Sequence, residues 1–140
     1  MMTRVQGKCL CGNVSFSAPE PHHIDICHCD MCRRWTGSAF IGVDYRDGGI
    51  KFEKNDSLKW FNSSDWAERG FCTNCGSSLF YRLKDNDSFL AISAGTLDLP
   101  SGLKLEKEIF IDEKPDYYDF AGDQKKLTGA EFFASLQDNK

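Results

Sequence analysis

Seven cysteines stand in three groups along the chain: Cys9-x-Cys11, Cys27-x-Cys29-x-x-Cys32 and Cys72-x-x-Cys75. Thiolates at such short spacings suit a borderline-soft divalent cation, and zinc is the usual occupant of sulfur-only shells. The odd number of thiols rules out complete pairing as disulfides. Gly76 follows Cys72-x-x-Cys75 and supplies the positive φ that a chain needs to turn around an ion. Two thiolates leave a tetrahedral shell half built, so a second pair must join them. Cys9 and Cys11 fit that need, because in an extended C-x-C both sulfurs leave one face while Leu10 leaves the other. Cys9, Cys11, Cys72 and Cys75 together read as a closed structural zinc site, which can contribute on the order of 10–16 kcal/mol of folding free energy.

Cys27, Cys29 and Cys32 remain, one donor short of a shell. By the same alternation, His28 faces away from an ion held by its two neighbours. His22 or His23 could reach that ion through the loop marked by Pro19 and Pro21. The favoured arrangement is three thiolates and an open corner, which is what distinguishes catalytic zinc from structural zinc. Three thiolates outweigh the charge of Zn²⁺ by one and blunt its Lewis acidity, so hydrolysis by metal-bound hydroxide is the less natural chemistry. Zinc deprotonates a coordinating thiol. An incoming thiol held as thiolate could attack an electrophilic carbon, which points to making or breaking a carbon–sulfur bond. Two other uses stay open. One is a binding module in which both metals only hold the fold, and the other is a redox-active trio beside Arg33 and Arg34.

These groups must be positioned by strands. NVSFSA (13–18), SAFIGVDY (38–45), IKFEK (50–54), LKWFN (58–62), SSLFYRL (77–83), FLAISAG (89–95) and EKEIFI (106–111) alternate or are rich in β-branched and aromatic residues. Turn residues at Gly48-Gly49, Asn55-Asp56, Asp85-Asn86-Asp87 and Pro100-Ser101-Gly102 separate them. That rhythm predicts a mainly β fold of short antiparallel sheets. A single short helix is expected over 128–137, where Thr128 and Glu131 form a capping box ahead of Phe132, Phe133 and Leu136. A helical turn from Asp30 to Trp35, ended by Gly37, is also expected.

The 140 residues carry a net charge of −4 and no run of Lys or Arg. A footprint for nucleic acid or an anionic membrane is therefore absent, and a small-molecule ligand fits better. No stretch approaches the roughly 20 apolar residues of a membrane span, and the N-terminus lacks a signal-peptide core. The expectation is one domain over residues 1–140, in the cytoplasm. No Ser/His/Asp set, paired-carboxylate signature or phosphate loop is visible.

Taken in order, GKCLCGNVSF (7–16), CHCDMCRRWTGSAF (27–40), FCTNCGSSLFYR (71–82) and AGTLD (94–98) resemble the glutathione-dependent formaldehyde-activating enzyme family, which includes the centromere protein V domain. The resemblance implies a β-tent fold and two zinc ions per chain. It assigns Cys9, Cys11, Cys72 and Cys75 to structural zinc, and Cys27, Cys29 and Cys32 to catalytic zinc. It further implies a carbon–sulfur lyase that joins glutathione and formaldehyde as S-hydroxymethylglutathione, the substrate thiol completing the second shell. Arg33, Arg34, Thr36 and Ser38 follow the trio and are candidate substrate contacts. Glu108 stands where members often carry His, and Tyr117 or Tyr118 where a Trp is common.

Overall fold

The computed structural model describes residues 3–46, 49–85 and 89–138. Within them the chain forms β1 (Arg4–Lys8), β2 (Ser15–Pro19), β3 (Ile24–Cys27), α1 (Asp30–Thr36), β4 (Phe40–Tyr45) and β5 (Lys51–Lys54). There follow β6 (Leu58–Asn62), β7 (Ala67–Cys72), β8 (Ser78–Leu83), β9 (Leu90–Ser93), β10 (Leu105–Ile109), β11 (Lys125–Leu127) and α2 (Gly129–Asp138). One sheet has the order β1-β2-β5 and the other β11-β10-β3-β4-β9-β8-β7-β6. This is the mainly β, tent-like class expected, closed by one short C-terminal helix.

Alternation along the central strands builds two apolar clusters. Val43, Ile92 and Phe80 stand side by side on β4, β9 and β8 and are buried. They meet Phe16, whose ring lies 4.9 Å from that of Phe80, together with Val5, Val14, Ala18, Leu79 and Leu97. Each buried Val, Leu, Ile or Phe among them contributes roughly 1.5–3 kcal/mol by leaving water. One position along, Asp44, Ala91 and Tyr81 stand in register and belong to the opposite face. That face carries a smaller cluster of Cys32, Phe40 and Ala91, with Cys27, Cys29, Trp35, Tyr81 and Phe89 packed around it. The main core therefore touches Cys9 and Cys72, and the second cluster holds the trio.

Antiparallel pairing runs through the sheet from β3 to β6, but β10 is parallel to both β3 and β11. Parallel neighbours need a crossover. The chain from β4 to β9 supplies the first, and residues 110–124 supply the second. Four strands carried little sequence signal: β1, β3, β7 and β11. β7 reads Ala-Glu-Arg-Gly-Phe-Cys, poor strand material by composition. It extends because β6 and β8 pair with it on both sides. A Cβ at Gly70 would sit 3.1–3.2 Å from Trp60, Leu58 and Phe80, so the strand is also tightly sandwiched there.

Strand ends differ from the expected ones for local reasons. β4 begins at Phe40 because Ser38 belongs to the end of α1. β9 stops at Ser93, where a 3-10 turn over Ala94–Thr96 begins. β10 stops at Ile109 because Phe110 adopts a left-handed conformation, φ 57°. The Phe110 ring then packs against Phe132 and Phe133 of α2. The capping box is formed: the Thr128 N–H donates to Glu131 Oε1 at 2.8 Å, and the Glu131 N–H to Thr128 Oγ1 at 3.1 Å. Of the expected turns, Gly48, Asn86 and Asp87 lie outside the described residues. Among the described residues no helix is long and apolar enough to cross a membrane.

Candidate metal centres

The sulfurs of Cys9, Cys11, Cys72 and Cys75 all lie within 4.8 Å of one another. Cys9 and Cys11 are 3.6 Å apart, and Cys11 and Cys72 3.8 Å. Cys72 ends β7, and the Cys72–Gly76 turn closes through the Gly76 N–H, which donates to the Cys72 carbonyl at 2.8 Å. Gly76 has φ 80°, as the knuckle requires. The Cys9–Cys11 half is built differently from expectation. It is not extended; the Gly12 N–H donates to the Cys9 carbonyl at 3.2 Å and closes a tight turn. The sulfurs converge through that turn rather than through strand pleat, and Leu10 at its tip is 87% exposed. Backbone N–H groups of Val14 and Cys75 donate to the sulfurs of Cys9 and Cys72 at 3.3 and 3.5 Å. Hydrogen bonds from the Ser77 hydroxyl and N–H pull the Cys75 thiol down to about 5. Four free thiols, converging and supplied with N–H donors, fit a closed tetrahedral cation site.

The trio forms where β3 runs into α1. Cys27 ends the strand, Cys29 is the N-cap of the helix, and Cys32 lies in its first turn. The Cys29 sulfur accepts from the Cys32 N–H at 3.3 Å, as an N-cap side chain does, so Cys29 and Cys32 share one side of the helix end. Gly37 closes the helix at φ 83°, its N–H donating to the Arg33 carbonyl at 2.8 Å. The three sulfurs lie within 4.8 Å of each other, and no described His, Asp or Glu atom joins them. Hydrogen bonds from Cys27 and Cys32 draw the Cys29 thiol far below the usual range, while the same pairing pushes the Cys27 thiol up. Such sharing of protons is what three crowded thiols do, and a divalent cation would release them all.

His28 turns away from the sulfurs, as the alternation argument expects. It is wholly buried, with Nε2 2.8 Å from Glu108 Oε1 and Nδ1 2.8 Å from the Tyr118 hydroxyl. A carboxylate only accepts, so Nε2 is the nitrogen that donates to it. Gln124 Nε2 donates to the other Glu108 oxygen at 3.0 Å. Glu108 is 1% exposed and thus bonded on both sides, which makes it a clamp on His28. His23 lies apart from the trio, in a group with Asp25 and Asp44, and His22 is exposed. Burial raises Asp25 to about 6 in that group.

The residues after the trio divide by what they bond. Arg34 is 79% exposed, and its Nε donates to both Asp30 oxygens at 3.1 Å. Arg33 is less exposed and donates from Nε to the His28 carbonyl at 3.0 Å. The Thr36 hydroxyl donates to the Cys32 carbonyl at 3.0 Å and accepts from the Ser38 N–H at 3.2 Å, serving the helix end. Sequence reasoning missed Arg69. It is 4% exposed, its Nη1 donates to Cys32 Sγ at 3.6 Å, and its guanidinium lies 5.0 and 4.9 Å from the Trp35 and Tyr81 rings. The available signal was slight: Arg69 lies two residues from Ala67 and next to Gly70 in the segment Ala67–Cys72, which leads into the second cysteine pair.

A mainly β chain with a converging four-thiol set and a separate three-thiol set defines a class of sulfur-rich folds whose cysteine clusters could hold metal ions. Comparison with known proteins gives the particular family. The profile of the glutathione-dependent formaldehyde-activating enzymes matches residues 4–113, and the chain belongs to that family. It is 31% identical over 136 residues to an uncharacterised lyase of Schizosaccharomyces pombe, spanning 96% of this chain and 98% of that one. A Rhodobacter sphaeroides protein of known crystal structure shares the fold, with a TM-score of 0.52 and 19% identity. That match covers 71% of this chain and 98% of the other.

Proposed function

We propose that the chain is a zinc-dependent carbon–sulfur lyase that forms or cleaves the S-hydroxymethyl adduct of a small thiol, glutathione with formaldehyde being the pair the family name suggests. Residues 1–140 act as one cytoplasmic catalytic unit without a nucleic-acid or membrane partner. The observation that carries the reading is the trio Cys27, Cys29 and Cys32, whose three converging sulfurs are joined by no fourth Cys, His, Asp or Glu ligand atom among the described residues. Cys9, Cys11, Cys72 and Cys75 hold the structural ion and tie the N-terminal turn to the end of β7.

A zinc ion on the trio would supply a corner at which a substrate thiol is held as its thiolate. The chain's own residues do the rest. Cys29 and Cys32 fix the site to the start of α1, and Cys27 fixes it to the edge of β3. His28, locked by Glu108 and Tyr118, keeps residues 27–29 from rotating, so the sulfurs keep one geometry. Arg33 is the arginine for a substrate carboxylate, since Arg34 is held by both Asp30 oxygens at 3.1 Å whereas Arg33 reaches one of them only at 3.9 Å. In the forward direction the sulfur lone pair forms a bond to the carbonyl carbon, the C=O π pair moves to oxygen, and the proton given up by the thiol ends on that oxygen. The reverse breaks the C–S bond, returns the electron pair to sulfur and regenerates the carbonyl.

The test is to mix zinc-loaded protein with glutathione and ¹³C-formaldehyde and follow the S–CH₂–OH resonance by NMR exchange. Wild type is expected to accelerate adduct exchange, and Cys29→Ser to fall to the uncatalysed rate. Equal acceleration by both would remove catalysis of this substrate pair from the trio. A second zinc bound by four protein donors would instead favour a module in which both ions only hold the fold.

A further inference from the structure

Arg69 is a buried cation without a carboxylate. Its Nη1 meets Cys32 Sγ, its Nε is buried with no hydrogen-bond partner, and among the described residues no Asp or Glu pairs with it. A guanidinium does not lose its proton in a folded protein. Burying one without an anion is costly, so its position calls for a counter-ion. The sulfur cluster is the anion that the structure places beside it. The side chain is held there by geometry as well as charge. Arg69 stands opposite Tyr81 in the β7–β8 register, and the flat guanidinium contacts the Tyr81 and Trp35 rings. Lysine could bring the charge but not a plane that two rings can hold.

We infer that Arg69 is the fixed counter-charge of the three-thiol site and that it sets the ligand class of the open corner, favouring a thiolate over a neutral donor. This rests on the reading of the trio as the thiol-binding site. Three thiolates exceed a divalent cation by one negative charge, and Arg69 brings the site to neutrality. A fourth thiolate then leaves one net negative charge rather than two. An opposite charge within about 4–6 Å shifts such an equilibrium by roughly 1–3 pK units, or about ten- to a thousandfold. Arg69 touches a ligand sulfur rather than the substrate, so it is a positioning residue.

The experiment loads wild type, Arg69→Lys and Arg69→Gln with Co²⁺ and titrates each with 2-mercaptoethanol and, separately, with imidazole. Ligand-field and sulfur-to-cobalt absorption report binding at the corner without any turnover. Wild type is expected to prefer the thiol. R69Q should lose about tenfold or more in thiol affinity while its imidazole affinity changes less than about threefold, with R69K between the two. R69Q binding the thiol within about threefold of wild type overturns the inference, as does a parallel loss of both ligands, which is the mark of a merely structural role. Should R69Q fail to fold, wild type alone decides, since a preference for imidazole over the thiol overturns the inference. A wild type that binds the thiol yet makes no adduct with formaldehyde sinks the catalytic reading and leaves this one standing.

Discussion

Replacing Glu108 by Ala tests whether the clamp on His28 matters as much as its burial implies. Glu108 and His28 are 1% and 0% exposed, and one carboxylate satisfies both His28 Nε2 and Gln124 Nε2. Truncation leaves an imidazole N–H with no acceptor and no route to water, and opens a cavity behind residues 27–29. Breaking a buried pair of this kind costs about 3–5 kcal/mol. Glu108→Gln keeps one carbonyl for His28 but turns an amide toward Gln124, so it should cost only about 1–2 kcal/mol. For a chain of this size 1 kcal/mol corresponds to roughly 3–4 °C in Tm. E108A should thus melt about 9–20 °C below wild type, with E108Q about 3–8 °C below it. Calorimetry of zinc-loaded proteins measures the melts, and a chelator competition measures release from the second site, which E108A should accelerate. An E108A protein within about 1 kcal/mol of wild type would refute the reasoning, because a buried donor would then have lost its acceptor at almost no cost.

Cys72→Ser should unfold the protein, since Cys72 is wholly buried in the main core, whereas Cys29→Ser should stay folded and drop from two zinc ions to one; melts and metal analysis on both variants check this. Tyr118→Phe removes the hydroxyl bonded to His28 Nδ1 and should cost about 1 kcal/mol, read by urea denaturation. Gly37→Ala forces a Cβ into φ 83° at the end of α1 and should cost about 1–2 kcal/mol, again read by denaturation. Burial pushes Tyr45 up to about 12, so between pH 10 and 12 the unfolded chain binds fewer protons than the folded one. The stability that Tyr45 contributes is complete below pH 10 and falls as the pH rises to 12. Tyr45→Phe should flatten that part of the stability profile in zinc-loaded protein.

The grouping of the cysteines was legible because spacing within each group is local and two pairs add up to one tetrahedral shell, and so was the outward turn of His28, which follows from alternation across three residues. The helix caps were readable for the same reason. What was not readable depends on partners distant in sequence. β7 is a strand because β6 and β8 flank it, although its own residues argue against extension. Arg69 becomes a neighbour of Cys32 only after β7, β8, β9 and β4 are laid side by side, 37 positions apart in the chain. The Cys9–Cys11 turn shows the limit of a correct outcome: the two sulfurs do converge, through a mechanism other than the pleat that was expected. Glu108, which stands where relatives often carry His, proved to be the acceptor that holds His28.

The two sulfur sets also differ in when the growing polypeptide can assemble them. Cys27, Cys29 and Cys32 leave the ribosome almost together and can seize a cation while the rest of the molecule is still being made. Cys11 and Cys72 are 61 positions apart, so their site cannot close until β2 to β7 have been synthesised. Chain connectivity would thereby set a loading order, and an ion bound at the later site would tie the N-terminal turn to the middle of the chain.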